Sequence, residues 1–155
     1  MAIDAIGTAG GLAIILDPSR VSLQNFMKTP WTITMDFHSI DIDIIGVVKR
    51  VYGPSTPMDK GKFLDSLLNV TDIDRGKHWT ARGEFNLITN LLEKKGGTKR
   101  LDSHATRFAE VIHQVKGVDV KNSNEVFTWN NKRTRSNGVA SKLDRFLLSE
   151  SIVLT

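Results

Sequence analysis

Two hydrophobic periods interleave along this chain of 155 residues and leave few architectures open. Trp31-Thr-Ile-Thr-Met-Asp-Phe37 alternates apolar with polar, the pattern of a half-buried strand. Asp41-Ile-Asp-Ile-Ile-Gly-Val-Val48 alternates and then runs continuously apolar toward Val51 and Tyr52. After Tyr52 the period lengthens. Phe63, Leu64, Leu67 and Leu68 form one helical face behind Thr56-Pro57-Met58-Asp59, which offers a cap, a first-turn proline and an acid in the first turn. Trp79 to Phe85 returns to strand character, with Asn86 at its end. Phe108, Val111, Ile112 and Val115 make a second helical stripe, with Asp102 or Ser103 as its cap and Gly117 as its stop. Gly10 to Leu16 reads as an earlier buried strand ended by Asp17-Pro18, and with the next two strands it predicts an antiparallel meander. Val126 to Trp129 and Leu143 to Leu148 read as the last strands. The order strands, helix, strand, helix, strands predicts one layered α/β or α+β domain rather than a bundle or an all-β barrel.

Composition narrows the function classes. With 40% hydrophobic and 25% charged residues the chain is sized for a single globular domain with a real core. The longest apolar candidate, Gly10 to Leu16, is far short of a membrane span, and Met1-Ala-Ile-Asp4 lacks the basic-then-apolar order of a secretory leader, so a soluble intracellular protein is expected. The absence of cysteine excludes disulfides, thiolate zinc sites and Fe–S clusters. His38, His78, His104 and His113 show no metal-ligand spacing; the last two fall on opposite sides of one helix. Net charge is +4, and its distribution is more informative than its sum. Lys94, Lys95, Lys99 and Arg100 form one basic cluster, and Lys132, Arg133 and Arg135, followed by Lys142 and Arg145, form another. Such loops are either solvated or neutralise the phosphates of a nucleic acid and release its counterions.

Four short segments carry the chemistry: Val51-Tyr52-Gly53-Pro54, Arg82-Gly83-Glu84-Phe85-Asn86, Phe127-Thr128-Trp129-Asn130, and Ser141-Lys-Leu-Asp144-Arg-Phe-Leu-Leu-Ser149. Taken one at a time they have plain structural readings. Tyr52 is a strand-end tyrosine, Glu84 a charged residue near a strand end, Trp129 a core aromatic, and Asp144 a partner for Arg145 or Lys142. Taken in order, they resemble the exonuclease/endonuclease/phosphatase superfamily. The nearest likeness is to the apurinic-type endonuclease domain of plant LINE-type non-LTR retrotransposons, which carries Gly-Asp-Phe-Asn, Phe-Thr-Trp and Arg-Leu-Asp-Arg-Phe-Leu in this sequence. Gly7 to Leu16, Glu93-Lys-Lys-Gly-Gly97 and the Phe108 to Asp119 segment extend the likeness over nearly the whole chain.

The resemblance implies a four-layer, DNase I-like α/β sandwich of mostly antiparallel sheets with flanking helices. It also implies Mg²⁺-dependent hydrolysis of a DNA phosphodiester by water attacking in line, and a nuclear location if the target is DNA. On that likeness Tyr52 would contact the phosphate, and Glu84 would stand where the family's Asp activates water. Asn86 would orient the phosphate and Asp144 would hold a catalytic histidine. The family's opening strands, with a metal-site Asn and Glu, have no counterpart before Gly7, and its closing Ser-Asp-His has none before Thr155. No metal ligand is therefore assigned, residues 1–155 are expected to be a single incomplete domain, and its catalysis is expected to be impaired. The alternative is a non-catalytic nucleic-acid-binding module using basic loops 94–100 and 132–145. A superfamily phosphatase acting on a phosphorylated small molecule or lipid headgroup is a third reading. An incomplete sandwich would also leave strand edges and apolar faces open to association.

Overall fold

Pro57 to Asp72 folds as the first long helix, α1, and what surrounds it explains the architecture. The computed structural model describes residues 1–4, 11–121, 126–133 and 137–154. Before α1, strands β3 (Val21–Lys28), β4 (Thr32–Ser39) and β5 (Ile44–Tyr52) form an antiparallel meander. Helix α1 then carries the chain back so that β6 (Trp79–Glu84) joins β5 in parallel, the connection such a pair requires. Helix α2 (Ala105–Gln114) follows, then β8 (Gly117–Asp119) and β11 (Asp144–Ser149), giving a six-stranded sheet of order β3-β4-β5-β6-β11-β8. Two small sheets accompany it: β1 (Ala2–Ile3) with β2 (Leu12–Ala13), and β7 (Lys94–Lys95), β10 (Ala140–Ser141) and β9 (Trp129–Asn130). A short α3 (Glu150–Val153) ends the described chain, and no described helix is long and apolar enough to cross a membrane.

The core lies between the two long helices and one face of the large sheet. Phe63, Leu64 and Leu67 of α1 and Phe108 and Val111 of α2 meet Val47, Val51, Trp79, Ala81 and Leu147, with Phe85 and Leu87 completing the cluster. Four aromatic rings run through it in series. Trp31 meets Phe63 edge-on at 6.0 Å, Phe63 meets Phe85 at 6.4 Å, and Phe85 meets Phe108 at 5.6 Å. Lys49 shares the helix face of β5 with Val47 and Val51. Fully buried, it donates to the Val70 carbonyl at 3.1 Å and pairs with Asp74, which Lys77 bridges to Asp36. Burial pushes the Lys49 ammonium below its ordinary range, and Asp74 opposes that shift. The opposite face of the sheet is covered only in part, with β2 lying against β4 and β5. The long helices thus lie on one side of the large sheet among the described residues, in keeping with the partial four-layer sandwich that was expected.

Several expectations change on this frame. The first strand of the meander is β3 rather than Gly10 to Leu16; within that run only Leu12 and Ala13 pair, and Ile15 is 93% exposed. Strand β3 escapes the hydrophobic pattern because it is an edge strand with mostly exposed side chains and a bulge between Leu23 and Asn25. Thr56 precedes α1, but its hydroxyl donates to Asp59 Oδ2 at 2.9 Å rather than capping a backbone N–H. At α2 the N-cap is His104 rather than Asp102 or Ser103, and Asp102 accepts from the His104 N–H at 2.9 Å just ahead of the helix. Lys116, not Gly117, takes the left-handed turn after α2, and Gly117 opens β8.

Candidate active site

Strands β5, β6 and β11 end side by side, and their register assembles the site. Tyr52 is paired with Glu84 across the parallel β5–β6 ladder, and Glu84 with Asp144 across the antiparallel β6–β11 ladder. Side chains alternate along a strand, and Val51, Ala81 and Leu147 belong to the helix-side core. Tyr52, Glu84 and Asp144 therefore stand in one row on the face turned away from α1 and α2.

Local sequence chemistry fixes that row. Gly83 has φ +150°, and a Cβ there would lie 1.8 Å from the Val51 carbonyl oxygen, so only glycine lets β6 approach β5 this closely. Phe85 is fully buried, which pins the strand end, and its N–H donates to the Leu143 carbonyl at 2.8 Å. The Gly53 N–H donates to the Glu84 carbonyl at 2.7 Å, while Asn86, at φ 54°, returns its Nδ2 to the Gly53 carbonyl at 2.8 Å. The turn after Tyr52 and the turn after Glu84 are thereby tied together. On the β11 side the Thr128 hydroxyl accepts from the N–H groups of Leu143 at 3.0 Å and Asp144 at 2.9 Å. Partial burial of Glu84, and then the facing charge of Asp144, push the Glu84 carboxyl above its ordinary range; a hydrogen bond from Asn86 works in the opposite direction.

Asp144 does not pair with either basic neighbour in sequence. Arg145 points to the helix side of the sheet and is fully buried. Its Nη1 donates to Glu93 Oε1 at 2.9 Å and also contacts Asp119, and its Nη2 reaches Glu93 and the Leu87 carbonyl, the latter at 3.2 Å. The guanidinium also lies 5.1 Å over the Phe108 ring. Lys142 donates to Asp119 at 2.7 Å. Strand alternation accounts for this, since consecutive residues on β11 face opposite sides. Among the described residues no ion pair reaches Glu84 or Asp144.

The basic clusters of the sequence meet through the small sheet. Lys94 and Lys95 pair with Ser141 and Ala140, which pair in turn with Trp129 and Asn130, just before Lys132 and Arg133. A Cβ on Gly96 would come within 2.0 Å of the Gly138 carbonyl, so the two loops touch there. Lys95, Lys99, Arg100, Lys132 and Arg133 are exposed, and Lys94 is partly covered with its Nζ donating to the Thr98 carbonyl at 3.1 Å. Arg135 lies outside the described residues. Lys142 and Arg145, committed to ion pairs below, do not join this surface. Trp129 is 43% exposed rather than a core residue, because β9 is a two-residue strand outside the main sheet.

Thr128 is the residue that sequence reasoning passed over. Its two donors lie 15 and 16 positions away, so no local spacing signals its role. The histidines stay apart from the row: His38 meets Asp43, His78 meets Ser151, and His104 meets Ser103. Among the described residues no group of three or more His, Asp or Glu could hold a metal ion.

No family model and no curated protein matches the chain by sequence. Solved structures do match by shape. The endonuclease domain of TRAS1, a telomere-specific non-LTR retrotransposon, superposes with a TM-score of 0.63 at 12% identity, over 84% of this chain and 57% of that one. D. rerio TDP2 complexed with single-strand DNA product gives 0.53 at 13% identity, over 86% of this chain and 56% of that one. An endonuclease/exonuclease/phosphatase family protein from Bacteroides thetaiotaomicron gives 0.54 at 10% identity, over 85% of this chain and 51% of that one. The chain thus spans little more than half the length of these structures, and over that span its fold is the DNase I-like α/β fold of the endonuclease/exonuclease/phosphatase proteins.

Proposed function

We propose that this chain is a retroelement-derived, endonuclease-like domain that engages a DNA phosphodiester at the Tyr52–Glu84–Asp144 row and hydrolyses it poorly. The observation that carries this reading is the row itself: three strands supply, at one register, a phenol and two carboxylates, with the Asn86 amide at the end of the middle strand. The phenol of Tyr52 donates a hydrogen bond to a phosphate oxygen, and Asn86 orients the same group, neither adding negative charge. A carboxylate whose affinity for a proton is raised is suited to draw one from an attacking water, and Glu84 is in that state.

Glu84 and Asp144 are also the oxygens that would hold Mg²⁺, which when bound offsets charge on the phosphate. What supports this is their register: the two acids face each other across the β6–β11 ladder, and no ion pair reaches either among the described residues. Two carboxylates are a minimal set for Mg²⁺, and Glu84 sets its acid one methylene beyond an Asp at the same backbone position. Both features reduce catalysis, since a misplacement of about 1 Å costs on the order of 10²-fold in rate. If its target is DNA, the nucleus is where the chain would act. The likeness in motif spelling is to plant elements, and the TRAS1 endonuclease domain supports a retroelement origin.

Nicking of supercoiled plasmid by the purified protein tests this. Slow nicking that needs Mg²⁺, disappears in Glu84→Gln and rises roughly tenfold or more in Glu84→Asp is expected. Nicking that survives both EDTA and Glu84→Gln would remove the row from the chemistry.

The second reading is a nucleic-acid-binding module without catalysis. It is favoured by the β7-β10-β9 sheet, which brings Lys94 and Lys95 on one edge and the strand leading to Lys132 and Arg133 on the other into one small unit. Salt-sensitive DNA binding that is unchanged in Glu84→Gln, from a protein that nicks nothing, would select it.

A further inference from the structure

A cleft of about 550 Å³ opens at the strand ends on the helix side of the sheet, between the first turn of α1, the turn after β6 and the loop that follows β7, and it reaches the row only through the residues next to it in sequence. Its polar lining includes Lys60, Asn86, Lys94, Arg100, Asp102 and Ser103, and Leu101 and Leu143 supply accessible apolar surface. Two of these residues join it to the site. Asn86 closes the turn after Glu84, and Leu143 immediately precedes Asp144 and accepts from the Phe85 N–H at 2.8 Å. Three cations face one carboxylate. Lys60 is nearly buried and donates to Asp102 Oδ2 at 2.6 Å, which leaves Lys94 and the exposed Arg100 as the surplus positive charge.

We infer that this cleft binds the nucleotide adjacent to the reacting phosphate, its phosphate held by Lys94 and Arg100 and its sugar and base lying on Leu101 and Leu143. The inference rests on the reading of the row as a phosphodiester site. The volume falls in the range of small-ligand sites, and apolar surface with a few convergent polar groups is the usual composition of one. Cations at the rim bind a phosphate oxygen through charge-assisted hydrogen bonds, Arg100 in a fork. The Lys60–Asp102 pair gives the inner wall a donor already held in place. A neighbouring nucleotide seated here would fix the strand's register on the row, which the outer loops alone do not do.

The experiment is anisotropy titration of a fluorescent 5′-phosphorylated thymidine tetranucleotide against the full chain, across a salt series. Lys94→Gln and Arg100→Gln, both on the rim, are expected to weaken binding by about tenfold each and to reduce the logarithmic salt slope by about 0.7 apiece. Glu84→Gln is expected to bind at least as well as the parent. If the rim variants bind like the parent while Lys132→Gln and Arg133→Gln weaken binding, the oligonucleotide lies across the outer loops and the inference fails. Equal affinity for inorganic phosphate would overturn it as well, since the apolar surface then contributes nothing. Rim-dependent oligonucleotide binding by a protein that never nicks plasmid would retain the cleft and discard only the chemistry of the row.

Discussion

Glu84 faces Asp144 across adjacent strands, and burial together with that facing charge makes Glu84 harder to ionise in the folded chain than in the unfolded one. The sign of its effect on stability follows. A carboxyl whose pKa is raised on folding binds its proton more tightly in the native state, so stability falls as pH climbs from the ordinary value of 4.5 through the raised one. Above that window the loss is complete. We predict that Glu84→Gln melts at a higher temperature than the parent at pH 7 and that the difference closes below about pH 4. A difference that is independent of pH, or reversed at pH 7, would sink this account of the pair.

Gly83 sets how closely β5 and β6 approach. Gly83→Ala drives a methyl group into the Val51 carbonyl and imposes a φ that alanine avoids. The expected loss is about 3 kcal/mol or more, read by urea unfolding. A loss under about 1 kcal/mol would mean that the ladder yields there at little cost.

Arg145 holds two carboxylates from distant segments. Arg145→Met keeps the stem over Phe108 but leaves the largely buried Glu93 charge without its cation and Asp119 with Lys142 alone. Breaking a buried pair from one side costs about 3–5 kcal/mol. Glu93, held below the ordinary carboxyl range by Arg145 despite its burial, loses that support. The destabilisation should therefore shrink as pH falls through the carboxyl range, which melting curves from pH 7 to pH 4 would reveal.

Thr128 is a positioning residue for Asp144. Thr128→Val keeps the shape and removes the acceptor of two backbone N–H groups, at an expected cost of about 0.5–1.5 kcal/mol. The sharper readout is the Glu84 carboxyl. With Asp144 released from its place opposite, the Glu84 pKa should move down toward 4.5 in a carbon-detected NMR titration. An unchanged titration would show that the β6–β11 ladder alone positions Asp144.

What could be read in the sequence was what local spacing encodes. The two helices were legible because Phe63, Leu64 and Leu67, and then Phe108 and Val111, repeat at helical intervals and are buried. Strands β4, β5, β6 and β11 were legible from their alternation. The motif order carried the fold class further than periodicity did, since it placed Tyr52, Glu84, Asn86 and Asp144 at strand ends before their neighbours were known. Hidden from that reading were features decided by partners far along the chain. Strand β3 is paired on one side only and needs little apolar patterning. Lys49 is buried because Asp74 meets it, and Trp129 is exposed because its strand lies outside the main sheet. The choice of Arg145 for Glu93 over its neighbour Asp144 depends on which face of β11 each occupies, and no charge pattern reveals that.

The parallel joining of β5 to β6 has a kinetic consequence. Adjacent antiparallel strands such as β3, β4 and β5 close through short turns, but β6 is separated from β5 by the α1 segment and β11 from β6 by the α2 segment and the strands that follow it. Contacts between residues so far apart in sequence form slowly, because the chain loses loop entropy before any pairing compensates for it. Tyr52, Glu84 and Asp144 lie at those two long-range seams, so the meander alone does not contain the constellation and it exists only where the sheet is complete.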